Sequence, residues 1–163
     1  MAGLTYLERP AAADAAGLLV LHHGRGSDER DLLGLADVLD PEQRLHVVTP
    51  RAPLELGGPG YHWYVVPRVG YPDHDTFHGA YRSLAAFHDE LWERTGIGPE
   101  RTVLGGFSMG SVMSYSLGLG PDARRPRASW PSRGSSRSST AGSPTSRAGP
   151  ACARSSPTAA ATR

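Results

Sequence analysis

The residues best suited to chemistry are Gly106-Phe107-Ser108-Met109-Gly110, a Gly-x-Ser-x-Gly pattern in which a serine hydroxyl can act as a nucleophile. Val103 to Phe107 reads as a short buried strand, and Met109, Val112, Met113, Tyr115, Ser116 and Leu117 can continue as a helix. A serine on such a strand-to-helix turn sits at strained backbone angles that lift its hydroxyl clear of the sheet. The turn closes only if the flanking residues have no bulk, which Gly106 and Gly110 provide. The first N–H groups of the helix then face the place where an oxyanion would develop. The competing reading is a chance match within an ordinary turn, since glycine is common in this chain.

A second group of chemically useful residues is His22-His23-Gly24-Arg25-Gly26-Ser27-Asp28-Glu29. It follows Leu18-Leu19-Val20-Leu21, a continuous apolar run of the kind found in a parallel strand covered on both faces. Asp28, Glu29 and Asp31 would lie in the first turn of a helix, at its positive end, so the segment reads as strand, glycine-rich turn and helix.

Other elements must position these two turns. Ala11 to Ala16 is a small-residue lead-in to the first strand. Leu32, Leu35, Ala36 and Leu39 keep helical spacing until Pro41, and Leu45 to Thr49 reads as a second buried strand stopped by Pro50 and Pro53. Glu55 to Asp73, broken by prolines and glycines, reads as a long loop carrying an aromatic wall of Tyr61, His62, Trp63 and Tyr64. From Asp75 to Thr95 the residues Phe77, Tyr81, Leu84, Phe87, His88, Leu91 and Trp92 follow the spacing of an amphipathic helix that Gly96 caps. Gly98-Pro99 then turns the chain into the Val103 strand. The order β-α-β-loop-α-β-α implies an α/β fold, a parallel sheet with helices on both faces. Function in such a sheet belongs at the carboxyl ends of the strands, where the His23 and Ser108 turns both fall.

A chain of 163 residues is long enough for one domain with a sizeable core. Its net charge of +1 joins two unlike parts. Residues 1–123 hold nine arginines against all sixteen acids, about −7, whereas residues 124–163 hold eight arginines and no acid, about +8. Cys152 stands alone, which excludes an internal disulfide and offers no metal cluster. No basic segment leads into a long apolar run at the N-terminus, and no stretch approaches the length that spans a bilayer. A soluble, cytoplasmic protein without stable membrane association is therefore expected.

Three motifs, Leu21-His22-His23-Gly24-Arg25-Gly26-Ser27-Asp28-Glu29, Thr49-Pro50-Arg51-Ala52-Pro53 and Gly105-Gly106-Phe107-Ser108-Met109-Gly110, resemble in order and spacing the phospholipase/carboxylesterase family of α/β-hydrolases. That family includes bacterial carboxylesterases and acyl-protein thioesterases. The resemblance implies a cofactor-free and metal-free hydrolase of small acyl esters or thioesters, acting through an acyl-enzyme on Ser108, with no nucleic acid as partner. It implies an oxyanion hole made by the backbone N–H groups of Met109 and Arg25, the Arg25 side chain remaining solvated. It gives His23 an architectural role, its imidazole bonded to a loop carbonyl, rather than that of catalytic base. Tyr61 and Trp63 either bind the acyl group or serve as plain packing.

A serine needs a base to take its proton and an acid to hold that base, and in α/β-hydrolases both follow the serine. Here the last histidine is His88, ahead of Ser108, and the only acid behind it is Asp122. Residues 124–163 contain no Leu, Ile, Val, Phe, Met or Tyr, so they are expected to be a disordered tail that buries too little apolar surface to offset its ordering entropy. The expected division is residues 1–122 as the N-terminal portion of a hydrolase domain, lacking its C-terminal strands, and 123–163 as the tail. Two accounts of that tail compete. One is a natural Ser/Arg-rich segment that binds nucleic acid through phosphate contacts on a non-catalytic hydrolase scaffold. The other is a frameshift near residues 123–127. When the third base of each codon is read with the first two of the next, degenerate codons let Arg154 to Arg163 become Phe-Ile-Ala-His-Gly-Arg-Arg-Asp-Pro, which looks like a strand ending in the turn that carries a triad aspartate. On this account the chain is an inactive fragment whose open sheet edge favours a homodimer or aggregation.

Overall fold

Alternating apolar residues on the strands decide which helix covers which face of the sheet. The computed structural model describes residues 3–120. The expected tail over 123–163 lies outside the described residues. The main sheet contains β1 (Tyr6–Arg9), β2 (Gly17–His22), β3 (Leu45–Pro50) and β6 (Thr102–Gly106), in the order β1-β3-β2-β6. β2 pairs in parallel with both β3 and β6, and all six of its residues are buried. Leu18 and Val20 pack with Val48 against Phe87, Leu91 and Ile97 on one face, while Leu19, Leu21 and Val47 pack with Leu32 and Ala36 on the other. Helical cover on both faces is what the apolar run Leu18 to Leu21 requires.

The long helix α2 (His74–Thr95) has its ends set by local chemistry. The Asp73 carboxylate accepts the Thr76 N–H at 2.9 Å, and Gly96, at φ 65°, closes the last turn in a conformation that glycine adopts without cost. Its buried stripe, Ala80, Leu84, Phe87, His88 and Leu91, follows the spacing visible in the sequence.

Four features depart from the sequence reading. β6, expected as a buried strand, has only Thr102 buried and leaves Val103 47% exposed, because it lies at the edge of the described sheet. β1 runs antiparallel to β3 and was not evident, because four residues without clear alternation carry little signal; Arg9 secures it by reaching Asp40 at 2.6 Å. The helix expected over Leu32 to Leu39 is a 3-10 turn at Leu33–Leu35 followed by one helical turn, α1 (Ala36–Leu39). Leu35, Val38 and Leu39 are exposed, so only Leu32, Ala36 and the partly buried Leu33 anchor this segment, too little for a longer amphipathic helix. Within the expected aromatic loop, β4 (Leu54–Glu55) and β5 (Tyr61–His62) form a small hairpin.

Helix α3 (Met109–Leu119) leaves the end of β6 and packs on the same side as α2. Among the described residues β6 pairs only with β2, so its outer edge is open. A groove of about 320 Å³ runs along this edge, between Val103 and Gly105 of β6 and Ser111, Tyr115 and Leu119 of α3. Val103, Tyr115 and Leu119 are 47%, 68% and 78% exposed, a strip of apolar surface beside unpaired strand backbone.

Candidate active site

Ser108 sits at φ 50° and ψ −114°, between the last residue pair of β6 and the first turn of α3. A non-glycine residue at such angles costs on the order of 1–3 kcal/mol and persists only where its surroundings over-determine it. Those surroundings are explicit. A Cβ on Gly106 would lie 2.7 Å from the Gly110 carbonyl carbon and 2.8 Å from the His22 oxygen, and a Cβ on Gly110 would run into the carbonyls of His22 and His23. The backbone therefore crosses over itself at a separation that only glycine permits.

The same packing presses the two glycine-rich turns together. Phe107 N–H donates to the His22 carbonyl at 3.0 Å, and the Phe107 ring lies over Gly24, 3.0 Å from where a Cβ would stand. In α3, Gly110 N–H donates back to Phe107 and Ser111 N–H to Ser108, whereas Met109 N–H donates to no described residue. In the facing turn, Gly26 N–H donates to the Tyr61 carbonyl at 2.8 Å, whereas Arg25 N–H likewise has no described partner. Two unpaired backbone donors on two touching turns, beside an exposed serine hydroxyl at the start of a helix, can stabilise negative charge on an oxygen bonded to the carbon under attack. The Arg25 side chain points into solvent.

Five of the seven histidines make side-chain hydrogen bonds, none of them to Ser108; of the other two, His62 is buried with its Nδ1 bonded to no described residue, and His78 packs against the rings of His74 and Phe77. His23 Nδ1–H donates to the Gly24 carbonyl at 2.7 Å and its Nε2 accepts the Ala52 N–H at 3.0 Å, so both nitrogens are committed in the neutral form, and burial lowers its pKa. His22 Nδ1 lies 2.8 Å from Ser114 Oγ, whose proton goes to the Gly105 or Gly110 carbonyl, which leaves His22 as the donor. Burial also holds His22 well below its ordinary pKa, aided by His88 and His23. His88 donates Nδ1–H to the Leu84 carbonyl at 2.7 Å, and His46 and His74 pair with Glu8 and Asp75. Among the described residues no histidine is bonded to Ser108 Oγ.

Tyr61 and Trp63 take different places. Trp63 is fully buried, donates its indole N–H to the His23 carbonyl at 2.9 Å, and belongs to the core that also holds Met109 and Met113. Tyr61 is half-buried beside the Arg25 turn, with its hydroxyl accepting from Arg51 Nη1 at 3.2 Å. Sequence reasoning missed the partners that fix these turns. Ser111 Oγ donates to the Gly106 carbonyl at 2.6 Å, and Glu29 accepts two hydrogen bonds from Arg51 at 2.6 Å each. Glu29 had the look of a first-turn helix acid, and nothing in a separation of 22 residues marks Arg51 as its partner.

Comparison with known proteins adds an independent line. Residues 8–124 match the phospholipase/carboxylesterase family. The solved structure of esterase PE8 is similar at 36% identity and a TM-score of 0.64, over 72% of this chain and 58% of that one. A carboxylesterase from Mesorhizobium loti is 26% identical, with a TM-score of 0.62 over 72% of this chain and 56% of the other. The Bacillus cereus carboxylesterase, at 24% identity and a TM-score of 0.64 over 77% and 62% of the two chains, shares the fold. The chain thus spans less than two thirds of the length of each. No curated protein sequence matches it. The strained serine turn, the mostly parallel sheet that presents it and the match over residues 8–124 agree: the chain belongs to the phospholipase/carboxylesterase family of α/β-hydrolases.

Proposed function

We propose that Ser108 is the nucleophile of a serine hydrolase of small acyl esters or thioesters, with the N–H groups of Met109 and Arg25 as its oxyanion hole. The observation that carries this reading is the Ser108 backbone at φ 50°, ψ −114° next to two N–H groups that donate to nothing else described. Ser108 Oγ adds to the acyl carbon, its proton passes to a base, and the former carbonyl oxygen takes up the negative charge. Collapse expels the alkoxide or thiolate and leaves the acyl-enzyme, which water hydrolyses to the free acid. Each donor in such a hole contributes about 3 kcal/mol to lowering the barrier.

The reading also holds that this chain lacks the base and acid of the triad. No histidine follows Ser108 in the sequence, and no described histidine bonds it. An enzyme left with only its binding site and oxyanion hole retains about 10³- to 10⁴-fold acceleration over water. With p-nitrophenyl butyrate the expected turnover therefore lies well below about 1 s⁻¹. Turnover above that value, abolished by Ser108→Ala, would show that an upstream histidine serves as base. Resequencing the gene across the codons for Gly120 to Ala128 tests the frameshift that would account for the missing partners. No observation favours the arginine-rich nucleic-acid reading; salt-sensitive binding lost on deleting residues 124–163 is the result that would revive it.

A further inference from the structure

The Arg25 turn is held from its far side by three residues with no place in the chemistry proposed above. Glu29 is 2% exposed, and both its carboxylate oxygens accept from Arg51, Oε2 from Nε and Oε1 from Nη2, each at 2.6 Å. This is the two-pronged geometry that makes Arg–carboxylate pairs both strong and directional. The third arm of the guanidinium donates to Tyr61 Oη at 3.2 Å, and its carbon lies 4.6 Å from the centre of the Tyr61 ring. Tyr61 in turn grips the turn through its backbone, accepting the Gly26 N–H and donating to the Ser27 carbonyl, both at 2.8 Å. Gly60 allows that approach, because a Cβ there would run into the Gly26 carbonyl.

These contacts close a ring: Gly26 and Ser27 to Tyr61, Tyr61 to Arg51, Arg51 to Glu29, and Glu29 back along the chain to Ser27. Arg51 is anchored separately, its N–H donating to the Thr5 carbonyl at 2.7 Å. On the near side, His23 is pinned by Gly24 and Ala52. Within the turn itself the Ser27 N–H reaches the Gly24 carbonyl at only 3.4 Å, a weak closure that does not fix the direction of the Arg25 N–H. The ring supplies that constraint.

We infer that Glu29 and Arg51 are positioning residues, which through Tyr61 hold the Arg25 N–H aimed at the oxygen of an acyl group on Ser108. The inference rests on the reading of Ser108 as nucleophile. A hydrogen-bond donor displaced by about 1 Å loses up to a hundredfold of its effect on a reacting centre. The clamp therefore acts on the tetrahedral, charged state as well as on the fold.

Phenylboronic acid provides the test without requiring a catalytic base. Ser108 Oγ–H adds to boron, its proton passes to solvent, and the tetrahedral boronate places an oxygen where the oxyanion would stand. The full chain is titrated at about pH 8, the adduct being read by boron NMR, with Ser108→Ala as the zero. Glu29→Gln and Arg51→Lys are expected to weaken the adduct about tenfold or more, each measured below its own melting temperature. Arg9→Met, which breaks an ion pair of similar burial far from the turn, lowers the melting temperature and leaves the adduct unchanged. Should Glu29→Gln fail to fold, Arg51→Lys alone decides. Wild-type affinity in the folded clamp variants overturns the positioning role while leaving Ser108 as nucleophile. Absence of any Ser108-dependent adduct in the wild-type chain overturns the nucleophile reading, and the clamp with it.

Discussion

The His22 carbonyl oxygen accepts the Phe107 N–H at 3.0 Å and occupies the space that a Cβ on Gly110 would need. One backbone atom thus sets the distance between the two turns and dictates a residue type on the second. Gly110→Ala must push α3 away from β2 or break the hydrogen bond. It is expected to cost about 3 kcal/mol in chemical denaturation, at the upper end of overpacking penalties. Gly118→Ala on the same helix meets nothing within 4 Å and is expected to be neutral or stabilising by up to about 1 kcal/mol. Equal losses from the two substitutions would mean that crowding at His22 is not what selects Gly110.

Ser108→Gly is expected to be at least as stable as the wild-type chain. Glycine adopts φ 50° without the steric cost that serine bears there, and the relief offsets glycine's own entropic penalty of about 0.5–1 kcal/mol. Ser108→Ala keeps the strain and should show no gain. Thermal melts of the two variants side by side decide the matter, and a Ser108→Gly chain less stable than Ser108→Ala contradicts the strain assignment.

Stability is expected to fall with acidity in two steps. His22 and His88 are buried and held below the ordinary value of 6.5, chiefly by desolvation; His22 faces His23, His88, Trp63 and Ser114, and His88 faces Asp89, Trp92 and the Leu84 carbonyl. The unfolded chain therefore takes up protons below about pH 6.5 that the folded chain refuses, and stability declines from there downward, by at most about 1.4 kcal/mol per pH unit for each histidine. Glu29, held down to about 2 by its hydrogen bonds to Arg51, contributes stability that is complete above its ordinary 4.5 and lost as the pH falls from there toward 2, on the order of 2 kcal/mol in all. Melting temperatures from pH 8 to pH 3 should show the first decline shallower in His88→Gln and the second reduced in Glu29→Gln, the remainder coming from Glu8, Asp40 and Asp73, whose pKa values are also lowered by their hydrogen-bond partners. A flat profile between pH 7.5 and 5.5 would contradict neutral burial of the histidines.

The open edge of β6 is expected to make the chain self-associate. Val103, Tyr115 and Leu119 form an apolar strip beside a strand that pairs on one side only among the described residues. Sedimentation of the full chain should show association that Tyr115→Glu together with Leu119→Lys reduces, because charge on this strip opposes docking. A monodisperse monomer in the unsubstituted chain would indicate that this strip is covered.

The sequence by itself determined the elements whose signals are local. The run Leu18 to Leu21, the three-four spacing from Phe77 to Leu91 and the glycines around Ser108 each announce a strand, a helix or a tight turn, since a few neighbouring side chains suffice to favour one backbone shape. It also showed that no histidine follows Ser108. Only the tertiary structure decided what depends on residues distant in the chain. β1 forms because β3 offers it an edge and Asp40 receives Arg9, although its four residues state no preference. Trp63 lies in the core beneath His23 while its neighbour Tyr61 grips the Arg25 turn, a division that an aromatic run in a loop does not reveal. Glu29 meets Arg51 across 22 positions, an attraction that acts only after the sheet has brought the loops that carry them together.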